Sequence, residues 1–130
     1  MFHDHLLTCV STPTYKDLRI NNTLSREFTK AMALMGGKVI ERNEEPATFS
    51  TDMGNVSYAL PAFHGTFGIP APKDAMPHQR GFATAAGTDA AHDVAISCAK
   101  GMALLGWRVL TDDGVAEGAM RDFNDKEPLD

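Results

Sequence analysis

The sequence predicts an α/β fold. Three observations carry that expectation: an amphipathic stripe over residues 23–35, a second over 89–105, and an alternating stretch over 63–69 between them. A helical face recurs every three to four residues and a strand face every two, which separates the patterns. The composition sets the frame. The chain has 130 residues, 43% hydrophobic and 22% charged, which suits one domain with one core. Twelve Lys and Arg against 17 Asp and Glu give a formal net charge of −5. That balance supplies no basic field, so neither nucleic acid nor a membrane is expected as a partner. No apolar run approaches the roughly 18 residues of a membrane helix. The first residues lack the basic-then-apolar pattern of a signal peptide. Cys9 and Cys98 form no CxxC motif and are expected as buried thiols, with a cytoplasmic location as the default.

Residues 1–13 mix polar and apolar side chains and end in Ser11-Thr12-Pro13, like the tail of a preceding unit. Leu18 and Ile20 stand two apart, the spacing of a short strand. In the first helix, Leu24, Phe28, Ala31, Met32 and Met35 form one stripe. Asn22 or Thr23 is expected to cap it, Glu27 to lie near its positive end, and Gly36-Gly37 to stop it by offering a left-handed position. A charged turn follows at 42–46. Residues 50–61 combine small polar side chains, Gly54 and a final Pro61, the composition of a loop with one helical turn.

The stretch 63–69 reads as a strand, with Phe63, Gly65, Phe67 and Ile69 on one face and His64, Thr66 and Gly68 on the other. Its glycines mark weak strand character or close approach of another group. Residues 70–87 hold Pro70, Pro72, Pro77, Gly81 and Gly87 and read as a long irregular connection. In the second helix, Ala91, Ala95, Cys98, Met102 and Leu105 form a narrow seam, capped by Thr88 or Asp89 and ended by Gly106. Gly101 inside it costs about 1 kcal/mol relative to Ala; a close helix–sheet contact there would explain its presence. Residues 107–110 read as a final strand or helix exit, and 112–130 as a mobile acidic tail.

Five histidines are the main candidates for chemistry. His3-Asp4-His5 has no further ligands nearby and reads as solvated; a complete zinc site needs three or four. His92, in a first helical turn, reads as neutral and structural. His64 reads as a half-buried histidine beside glycines. His78, held by Pro77, is a reasonable metal-ligand candidate because a coordinating imidazole needs a fixed orientation. There is no G-x-S-x-G, no H-E-x-x-H and no phosphate-binding loop.

The run Ser50-Thr51-Asp52-Met53-Gly54-Asn55-Val56-Ser57-Tyr58, then Pro61-Ala62-Phe63-His64-Gly65, then His78, then Phe82 to Thr88, forms one longer pattern. It resembles the C-terminal part of the zinc metallopeptidases that include aminoacylase-1 and carboxypeptidase G, in the amidohydrolase and dipeptidase branch. The resemblance covers residues 14–111. It implies an α/β catalytic domain with an inserted lid or dimerisation domain, of which residues 1–13 would be the end. It implies two divalent metal ions, zinc in most relatives, a small amide or dipeptide substrate, and a homo-oligomer for the full-length enzyme.

On that resemblance His78 is a metal ligand, and Asp52, Asn55 and His64 are substrate contacts. Gln79 departs from the threonine that usually follows the ligand. The other ligands and the carboxylate base have no counterpart here, since Glu44 and Glu45 match no catalytic motif. The expected function is therefore part of a metal-dependent amidohydrolase or dipeptidase, inactive as this chain. The alternative is a non-catalytic remnant, or partner-binding module, of the same fold.

Overall fold

The computed structural model describes residues 14–41 and 50–125. The expectations for His3, His5, Cys9, the 1–13 tail and the charged turn at 42–46 lie outside the described residues. Among the described residues five helices follow one another: α1 (Asn22–Leu34), α2 (Met53–Ser57), α3 (Arg80–Ala86), α4 (Asp89–Thr111) and α5 (Asp113–Asn124). No strand occurs among the described residues, so the α/β expectation is overturned in favour of an all-helical one. The physical reason is pairing. A strand is held by a neighbour's N–H and C=O groups, and no described segment pairs with 18–20 or 63–69. Phe63 instead turns its ring onto Phe28 of α1, 4.7 Å between centroids.

α1 buries Leu24, Phe28, Ala31 and Met32 of its expected stripe, while Met35, the fifth, is the exposed C-cap beyond the helix. The cap is Asn21 rather than Asn22 or Thr23. Its Oδ1 accepts from the Leu24 N–H at 3.1 Å and its Nδ2 donates to the Ala119 carbonyl at 2.8 Å. One amide thus serves two helices, which a cap one residue later could not do from the same place. Gly36 ends α1 as expected, at φ 77°. Its N–H donates to the Ala33 carbonyl and that of Gly37 to the Met32 carbonyl, the paired bonds of a Schellman motif.

α4 begins as read, with the Thr88 side chain accepting from the Ala91 N–H. Gly101 is a close-approach site, but against a helix. An added Cβ would lie 2.5 Å from the Met32 sulfur and 2.9 Å from Phe28 Cε2. Gly106 does not end the helix, and 107–110 is neither strand nor exit. α4 continues to Thr111 because Val109 packs on the core and Arg108 reaches Glu27. Asp112 breaks it at φ −131° and ψ 102°.

The stretch read as an acidic tail forms α5 up to Asn124. Val115, Gly118 and Ala119 face inward, and Asp112 Oδ1 caps the helix by accepting from the Gly114 and Val115 N–H groups. The irregular reading of 70–87 is corrected at its C-terminal side, where α3 forms.

The core is small: Leu24, Phe28, Met32, Leu105 and Ala119, with Val39, Phe63, Cys98 and Val109 packed around it. Each large apolar side chain there contributes about 1.5–3 kcal/mol by leaving water. Cys98 is a half-buried free thiol. α4 contrasts with this core. It has 23 residues, and its most apolar 18-residue window has a mean hydropathy of 1.2, yet only 11% of that window is buried. By length and composition it is long and apolar enough to cross a membrane, although Lys100 and Arg108 interrupt its apolar run. Its packing of Gly101 and Leu105 into the core is the behaviour of a core helix covered on one side.

Candidate functional site

The most specific stretch of sequence builds a clamp around α2. Asn55 Oδ1 accepts from the Lys16 N–H at 2.8 Å, and its Nδ2 donates to the Thr14 carbonyl at 3.1 Å. Ser57, 2% exposed, donates to the Gly54 carbonyl at 2.6 Å and accepts from the Arg19 N–H at 3.0 Å. Gly54 lies so close beneath the Lys16 carbonyl that a Cβ would collide with it. Thus residues 14–19, expected in part as a strand, draw hydrogen bonds from side chains of α2 rather than from a neighbouring strand.

Tyr58 closes the same cluster. Its hydroxyl donates to Asp17 Oδ1 at 2.7 Å, and that carboxylate raises the phenol pKa above its ordinary 10.0. The Lys16 ammonium and Arg19 guanidinium lie 4.5 and 5.0 Å from the Tyr58 ring centroid. Asp52 precedes α2 and is exposed; its side chain caps nothing.

His78 has a clear local origin. The Gln79 N–H donates to the Met76 carbonyl, and the Met76 N–H donates to Gln79 Oε1. Pro77 occupies the first central position of this turn and His78 the second, at φ 68°. A proline followed by a positive φ is the pattern of a type II turn. Glycine or asparagine usually fills the second position, so a histidine there carries about 1–2 kcal/mol of backbone strain. The turn fixes its backbone and leaves the residue exposed.

His64 is half-buried, and its Nδ1 is buried without a hydrogen-bond partner. Such an atom costs about 1–3 kcal/mol until a donor or acceptor reaches it. His92 is exposed in the first turn of α4.

Neither large groove of the molecule is lined by Asp52, Asn55, His64 or His78. The groove of about 560 Å³ lies between α4 and α5, walled by Met102, Leu105, Val109, Ala116 and Met120. The groove of about 630 Å³ lies between α1 and α4. Among the described residues, no three His, Cys, Asp or Glu side chains come together to hold a metal ion. The described residues therefore do not fit a metal pair.

Sequence reasoning missed Ser57 and Gly54 as positioning residues. Only the local half left a signal, since a serine three residues after a glycine in a polar run can bond back to its backbone; the partners at 16 and 19 left none.

No family model matches the chain, and no solved structure matches it. Among curated proteins, it is 30% identical over 114 residues to an Xaa-Arg dipeptidase of Mus musculus. The match takes in 86% of this chain and 26% of that dipeptidase, so the chain spans about a quarter of the relative's length. The similarity is to a peptidase.

Proposed function

We propose that this chain is the C-terminal portion of the catalytic unit of a dipeptidase-type hydrolase, and that it does not hydrolyse substrate alone. The observation that carries the reading is the 30% identity to a dipeptidase across most of the chain. The long, apolar, mostly exposed α4 supports it, because such a helix is normally covered on both sides in a complete domain. The substrate class is a dipeptide or N-acyl amino acid, and a cytoplasmic, homo-oligomeric enzyme belongs to the same reading.

Within it, His78 is a single ligand offered to a divalent metal, zinc by preference, whose other ligands lie outside the described residues. Asp52 and His64 are substrate contacts, and the unpartnered Nδ1 of His64 supports that role. Asn55, placed with them by resemblance, has both ends of its amide engaged with backbone. Its contribution to the site is to hold 14–16 against α2. No hydrolytic step is assigned to residues that cannot hold the metal pair.

Two assays test the reading. The purified chain, supplied with zinc, should not cleave dipeptides or N-acyl amino acids; turnover abolished by EDTA would overturn the proposal. Fused to upstream in-frame coding sequence carrying the remaining ligands, it should cleave dipeptides and lose that activity in His78→Ala. Full activity of that variant would remove His78 from the site.

A further inference from the structure

We draw no further inference here: the strongest candidate, the groove between α1 and α4 walled by Leu34, Leu104 and Trp107, has rim charges that pair with one another through Lys30, Glu27 and Arg108, and nothing in the structure shows what covers it.

Discussion

Glu27 reaches the α1–α4 contact with 8% of its surface exposed. Lys30 Nζ lies 2.6 Å from one carboxylate oxygen and Arg108 Nε 3.4 Å from the other. The hydrogen bond from Lys30 holds its pKa below 4.5, against the opposing effect of burial. A lowered folded pKa sets the sign. The stabilisation is complete above the unfolded value and is lost as pH falls through the folded one. Glu27→Gln should therefore lower stability at pH 7 by about 1–2 kcal/mol, less than for a fully buried pair because both cations reach solvent. Urea unfolding at pH 7 and pH 3 should show the difference from wild type shrinking in acid. An equal difference at both pH values would assign the loss to packing.

His78 gives a prediction of opposite sign. His78→Gly relieves the positive φ and should raise stability by about 1 kcal/mol. An unchanged or lower urea midpoint would mean that the turn is not strained. If the gain appears, the native histidine sits where folding alone would place glycine, as functional residues often do.

At the level of elements, periodicity made α1 and the start of α4 legible because their inward faces are built from Leu, Phe, Met and Ala at helical spacing. The strands were not legible correctly, because alternation in 63–69 describes a side-chain pattern while a strand also needs a backbone neighbour. α5 was hidden for another reason. Its acids and two glycines resemble a tail, and its inward face is only Val115, Gly118 and Ala119. Gly106 misled because its cost of about 1 kcal/mol is outweighed by what Val109 and Arg108 reach beyond it.

Of the candidate site, the exposed loop position of His78 was legible from Pro77. The clamp by Asn55 and Ser57 was not, since it joins residues 38 and 39 apart in sequence. The α1–α4 crossing is open to a direct check. Gly101→Ala gains helix propensity but drives a methyl into Met32 and Phe28. The expected net loss is about 1–2 kcal/mol, read as a lower urea midpoint. A gain would mean that Met32 swings aside at little cost.

Over the whole molecule, apolar surface is distributed unusually for a chain of this composition. Leu34, Leu110, Ile40 and Trp107 are 85%, 84%, 77% and 65% exposed. Surface of that kind associates in water. Light scattering of the purified chain should show apparent mass rising with concentration, and Trp107→Lys with Leu110→Lys should reduce the rise. A monodisperse monomer at every concentration would show that this surface is tolerated uncovered.

The fastening between the first and last helices has a consequence in time. The Asn21 amide reaches Ala119, the Thr23 N–H reaches Asp122 Oδ2, and Arg19 reaches the Phe123 carbonyl, across 98, 99 and 104 residues. Translation at about 5–20 residues per second puts roughly 5–20 s between the making of the two halves of each bond. Through that interval a nascent α1 emerges with its opening turn unfinished and Leu24 and Phe28 lacking Ala119 and Leu105. Of the five described helices, the one made first is thus among the last to be secured, and Leu24 and Phe28 wait longest for the side chains that cover them.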